Sequence, residues 1–99
     1  MDIRFEGLPG ADLVARGLDD LREGSKTDCA LLVLIASPRL RDLGVHVPPS
    51  PQSLGPVEHE LYTLLERNHG IGAYSRYNSL IRRMVSFTHA LEHLLSSHP

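Results

Sequence analysis

The amino-acid sequence predicts an all-α fold of four to five helices around a leucine-rich core. Three observations support this class: the chain has 99 residues, the size of one domain; apolar residues recur at helical spacing; and no set of partner strands is visible. Aromatic residues make up only 5% of the composition and tryptophan is absent, so the core must be mostly aliphatic. We expect a single domain over residues 1–99, arranged as a small orthogonal or bundle-like array.

The first half of the chain predicts an extended arm followed by three helices. Residues 1–8 alternate polar and apolar side chains near their start, which is typical of an extended arm. The stretch 10–23 predicts a helix with one small or apolar face: Val14, Gly17, Leu18 and Leu21. A glycine on that face indicates close approach of a neighbouring helix. The run 29–36 is apolar on every side and fits a helix or a buried strand, and we favour a helix because no partner strand is visible. A short helix over 38–43 follows.

The second half predicts a connector and two further helices. Residues 45–55 are rich in proline, which is typical of a stiff extended crossover between two helical halves, with a partner-binding polyproline segment as the alternative. Pro56 begins the next helix, which extends to about Asn68. The last helix, over 73–97, is the longest, and nine residues share its broad apolar face: Tyr77, Leu80, Ile81, Met84, Phe87, Thr88, Leu91, Leu94 and Leu95.

Charge and cysteine content narrow the classes of function. The net charge is −2, so the overall balance lacks the concentrated positive field of nucleic-acid-binding proteins, although Arg76, Arg82 and Arg83 are a local exception. Nucleic acid is therefore the less favoured partner. Cys29 is the only cysteine, and its place beside an apolar run predicts a small buried side chain. No secretory signal opens the sequence, and the apolar run 30–36 is too short to span a bilayer. We therefore expect a cytoplasmic protein with no membrane partner.

Residues 89–93 read His-Ala-Leu-Glu-His, the order found in inverted zincin metalloproteases. We reject a protease because no carboxylate side chain follows His93 to serve as the third zinc ligand. A weak metal site built from His89 and His93 is an alternative, with His59, His69 or Glu92 to complete it. Helical geometry places His89 and His93 on the polar face, so we favour solvated side chains and expect no cofactor.

A polar stripe along the last helix is the candidate binding surface. Its members are Asn78, Arg82, Ser86, His89 and His93, at spacings of four, four, three and four residues. Arg82 and His89 are seven residues apart and project in almost the same direction. This pair resembles the Arg-x(4–6)-His motif of HEPN-class helical ribonucleases. The resemblance implies that Arg82 and His89 are catalytic, lie at a dimer interface and promote attack by a ribose 2′-hydroxyl.

The favoured function is a small non-enzymatic interaction or regulatory module. No complete catalytic constellation is present, and a thin aliphatic core in a chain of this size gains stability from self-association. We therefore expect a homodimer, and an unknown protein partner is compatible with this function. The first alternative is an HEPN-like RNA-binding or RNA-cleaving domain that uses Arg82 and His89. The second is a weak metal-binding protein that uses His89 and His93.

Overall fold

A computed structural model describes residues 7–48 and 56–96 of the chain. These ranges contain six helical elements in the order α1 Ala11–Arg22, α2 Asp28–Ile35, α3 Ser37–Asp42, α4 Val57–His69, a 3-10 helix Gly70–Gly72, and α5 Ala73–Ser96. The prediction of an all-α, bundle-like fold is confirmed. Each α-helix agrees with its predicted bounds to within one residue, and the run 29–36 is helix rather than strand. Most of the predicted arm over 1–8 lies outside the described residues.

Helix α2 is the centre of the fold, and α1, α3, α4 and α5 all pack against it. Five consecutive side chains of α2 are buried, from Cys29 to Val33. Thr27 caps the helix, since its hydroxyl oxygen accepts a hydrogen bond from the backbone N–H of Ala30 at 3.2 Å. The same hydroxyl donates to the carboxylate of Asp20, which joins the start of α2 to α1. The cap therefore fixes where the most buried helix begins.

Gly17 allows α1 to lie directly on α2. A Cβ atom at this position would clash with the carbonyl oxygen of Cys29 and with the side chain of Val33. The predicted close approach of a neighbouring helix is confirmed, and α2 is that neighbour. Gly10, just before α1, is a second tight point, since a Cβ there would lie 2.7 Å from the carbonyl oxygen of Arg83 in α5.

Helices α4 and α5 form a hairpin through the 3-10 helix. The rings of Tyr62 and Tyr77 meet edge to face across this hairpin, with centroids 5.8 Å apart. Ahead of α4, Val45 and Val47 are buried while His46 is exposed, so the first described residues of the connector pack on the core. The remainder of the proline-rich crossover, residues 49–55, lies outside the described part of the chain.

The core is aliphatic apart from one aromatic side chain. The largest fully buried side chains are Phe87, Leu32, Leu40, Leu61, Leu65, Leu80, Val14 and Val33. They come from all five α-helices, so every helix contributes to one continuous core. Across the described ranges, no helix combines the length and the apolar character needed to cross a bilayer.

Candidate functional site

Helix α5 carries apolar side chains that the fold leaves open to solvent. Tyr74 is 66% exposed, Val85 46% and Leu95 44%. They belong to a row of seven residues separated alternately by four and three positions: Tyr74, Asn78, Ile81, Val85, Thr88, Glu92 and Leu95. This is the spacing of the a and d positions of a heptad repeat, which keeps side chains in one line along a helix. We call this row the α5 seam.

The two halves of the α5 seam differ in what the chain itself already contacts. In the second half, Thr88 is buried and its hydroxyl donates to the carbonyl oxygen of Val85 at 3.0 Å. Glu92 forms an ion pair with Arg39 of α3 at 2.7 Å. In the first half, Tyr74 and Val85 are exposed, whereas Asn78 and Ile81 are half-buried. The first half therefore contains the longer open stretch of the α5 seam, and Leu95 is the exposed apolar residue of the second half.

The predicted polar stripe lies beside the α5 seam. Arg82, Ser86, His89 and His93 are exposed, and Asn78 is half-buried and belongs to both rows. Arg82 and His89 lie two turns apart, about 10 Å along the helix axis. Within the described part of the chain, neither Arg82 nor His89 forms an ion pair. The structure thus places both side chains on one open flank of α5.

The neighbouring Arg83 has a different role from Arg82. Its guanidinium lies 3.4 Å from the carboxylate of Asp12 in α1, and both side chains are exposed. Exposed ion pairs of this kind contribute at most about 1 kcal/mol to stability. Together with Arg39 and Glu92, this pair links α5 to α1 and α3 on the sides that flank the core.

The two histidines of the His-x-x-Glu-His stretch are exposed side chains one turn apart. The metal-site alternative requires a third ligand from His59, His69 or Glu92. In residues 7–48 and 56–96, no group of three or more His, Cys, Asp or Glu side chains is placed to hold a metal ion. Within those ranges the arrangement offers two imidazoles and no third ligand, which is short of the usual requirement for a protein metal centre.

Cys29 is buried in α2, as the sequence predicted. Burial raises the pKa of its thiol, and the negative charge of Asp28 raises it further. A thiol with a raised pKa is a poor nucleophile at neutral pH because little thiolate is present. The structure therefore gives Cys29 a packing role.

The sequence pattern does not separate the α5 seam from the core, because it predicts one broad core face that includes Ile81, Thr88 and Leu95. The structure divides that face: Thr88 is buried, Ile81 is half-buried and Leu95 is exposed. The signal that could have separated them is the alternating spacing of four and three, which includes Tyr74 and Val85. Both of these residues fall outside the predicted core face.

Chemically, the open surface of α5 offers apolar side chains for burial, the amide of Asn78 for hydrogen bonding, and a flank with one arginine and two histidines. No protein-family model, no curated protein and no solved structure matches this chain. The function therefore has to be inferred from the geometry of this helix.

Proposed function

We propose that this protein is a self-associating helical interaction module in which two copies pack together through the first half of the α5 seam. The observation that carries the proposal is the exposure of Tyr74 and Val85 on a row with heptad spacing, with Ile81 between them. Heptad rows of this kind are the surfaces through which helices pair. A second copy provides an identical row, so no other component is needed to cover it.

The size of this surface sets the expected affinity. Helix α5 has 24 residues and is about 36 Å long, so its open half gives a small interface. Full burial of a side chain such as valine or isoleucine contributes about 1.5–3 kcal/mol. Tyr74, Ile81 and Val85 are already partly covered in the single chain, so each gains only part of that value. Part of the gain also offsets the lost freedom of the two chains. We therefore expect a dissociation constant no tighter than the order of micromolar, which corresponds to about 8 kcal/mol.

Asn78 favours a parallel arrangement of the two α5 helices. Its amide lies among apolar seam residues and becomes more buried when the row is covered. A buried amide needs hydrogen-bond partners, and another amide can both donate and accept. In a parallel pair each seam residue faces its own copy, so Asn78 meets the partner's Asn78. A single asparagine at such a position is a known determinant of register in paired helices.

The oligomeric state in solution tests the proposal directly. Light scattering coupled to size exclusion should give a dimer for the wild type at tens of micromolar and a monomer for Val85→Glu. Ser86→Glu is the matched control, since it places the same charge one residue along, on the exposed polar stripe. It should remain dimeric. A wild type that stays monomeric over the whole concentration range, or a Val85→Glu protein that stays dimeric, would refute the proposal.

Disulfide trapping tests the parallel arrangement separately. The Cα atoms of seam residues that face each other come within the range needed for a disulfide, about 4.4–6.8 Å. Val85→Cys should therefore form a covalent dimer under mild oxidation. Ser86→Cys should not, and the buried Cys29 provides no competing thiol. Failure of Val85→Cys to cross-link, in a protein that is still dimeric, would exclude the parallel register.

A second candidate function is an HEPN-like RNA-binding or RNA-cleaving domain. One observation favours it: Arg82 and His89 are both exposed on the flank of the α5 seam, where a dimer would place them beside the interface. The test is binding and cleavage of single-stranded RNA by wild type and by Arg82→Ala/His89→Ala. Loss of cleavage with an unchanged oligomeric state would support this candidate. Absence of both binding and cleavage in the wild type would eliminate it.

A further inference from the structure

A second surface of the protein is a groove along α4, on the opposite side of that helix from α5. It is an open depression of about 450 Å³, within the size range of small-molecule sites. Leu31 of α2, Leu64 and Pro56 line its apolar part, Thr63 and Arg67 line one end, and His59 also lines it. We call this the α4 groove. Tyr62, which contacts α5, points away from it, so the α4 groove is separate from the α5 seam.

The charges around the α4 groove are unequal. Lys26 and Glu60 both line it, and their charged atoms are 3.5 Å apart, so they largely compensate each other. Arg67 is exposed and, among the described residues, takes part in no ion pair. Its guanidinium therefore gives the groove a net positive charge on a chain whose overall charge is −2.

The end of the groove at Arg67 has the groups that bind a carboxylate. A guanidinium can bind both carboxylate oxygens at once, with a geometry that a lysine ammonium lacks. Thr63 lies one helical turn before Arg67 on the same side of α4, so its hydroxyl can donate to the same carboxylate. Both side chains are exposed and accessible to a ligand.

The dimensions of the groove limit what can occupy its apolar part. From Pro56 to Arg67 the groove follows α4 for eleven residues, about 16 Å. An extended unbranched chain can lie along this length over Leu64 and Leu31, with its polar end at Arg67.

We propose that the α4 groove binds a medium-chain aliphatic carboxylate. The carboxylate contacts Arg67 and Thr63, and the hydrocarbon chain lies over Leu64 and Leu31 toward Pro56. This inference does not depend on self-association, because none of the lining residues belongs to the α5 seam.

Titration of the ¹⁵N-labelled protein with octanoate tests this site, with amide chemical shifts as the measurement. Saturable shifts should appear around Leu31, Thr63 and Leu64. Hexanoate, octanoate and decanoate should bind progressively tighter, by up to about fourfold for each methylene, which is the value for full burial of that group. Uncharged 1-octanol should bind at least fivefold more weakly than octanoate.

Arg67→Gln should weaken the binding of octanoate at least fivefold and leave the binding of 1-octanol unchanged. Arg41→Gln is the matched control, since Arg41 is an exposed arginine of α3 that does not line the groove, and it should bind like the wild type. Shifts that never saturate, or equal binding of octanoate and octanol, would overturn the proposal. A hydrophobic dipeptide that binds tighter than decanoate would also overturn it and make the groove a peptide site. Repeating the titration on Val85→Glu separates this result from the failure of self-association.

Discussion

Helices α2 and α5 show how differently two helices of one small fold can use their side chains. Helix α2 has eight residues, and its buried stretch from Cys29 to Val33 faces other helices on all sides. Helix α5 has 24 residues, of which Ala73, Leu80, Met84, Phe87, Thr88 and Leu91 are buried. Packing accounts for almost every residue of α2. It does not account for Tyr74 or Val85 in α5, so α5 is where a function beyond folding is to be sought.

The largest contrast is expected for core truncation. Leu32 of α2 is fully buried, so Leu32→Ala should lower the free energy of unfolding by about 2–5 kcal/mol. Leu95→Ala removes the same atoms from a side chain that is 44% exposed on α5, and alanine suits a helix well. It should change stability by about 0.5 kcal/mol or less. Urea denaturation followed by circular dichroism measures both, and similar losses would contradict the contrast.

The contact between α1 and α2 can be tested with a substitution that adds a side-chain carbon at the point of contact. Gly17→Ala places a Cβ against Cys29 and Val33, and we expect a loss of about 1–3 kcal/mol in spite of the better helix propensity of alanine. Gly72→Ala is the matched control, since a Cβ there meets nothing within 4 Å. It should be neutral or slightly stabilising. If Gly17→Ala also stabilises the protein in chemical denaturation, α1 and α2 are not in direct backbone contact.

The cap of α2 should have a moderate effect. Thr27→Ala removes the acceptor for the N–H of Ala30 and the donor to Asp20, so it should cost about 1 kcal/mol in the free energy of unfolding. Thr27→Ser retains the hydroxyl and should recover most of that loss. Thermal and urea unfolding of the two variants give the comparison. Equal stability of Thr27→Ala and Thr27→Ser would show that the cap does not stabilise α2.

The smallest expected effect is on the pH dependence of the free energy of unfolding. Because the pKa of Cys29 is raised in the folded protein, the folded state retains its thiol proton at pH values where the unfolded chain has lost it. The resulting stability is complete below the unfolded pKa and is lost as pH rises through the folded pKa. Unfolding free energies measured across the alkaline range should therefore fall more steeply for wild type than for Cys29→Ala. Identical slopes would show that burial does not affect this thiol.

The contrast between α2 and α5 also explains which features could be predicted from the sequence. Residue patterns located all five α-helices because Gly, Pro and Thr mark their ends and leucine marks their inner faces. The position of α2 at the centre agrees with its apolar run, since a helix that is apolar all round must be covered on every side. The interpretation of Gly17 was also correct, because a glycine on an apolar helix face indicates the close approach of another helix.

The open part of α5 could not be predicted in the same way. The sequence gives an apolar face that is broader than one neighbouring helix can cover, but it does not tell which edge remains open. That depends on how α4 and α1 are placed, and hence on contacts such as Tyr62 with Tyr77 and Gly10 with Arg83. The α4 groove depends likewise on the spacing of α2 and α4, which no local pattern specifies.

The position of Lys26 has one more consequence. Lys26 is the only lysine of the sequence, and it lines the α4 groove with its ammonium 3.5 Å from the carboxylate of Glu60. Lys26 is therefore the one side chain of this sequence at which lysine acylation can occur. It would remove one positive charge from the lining of the α4 groove. One covalent event at one amine would then weaken the attraction of the groove for anions.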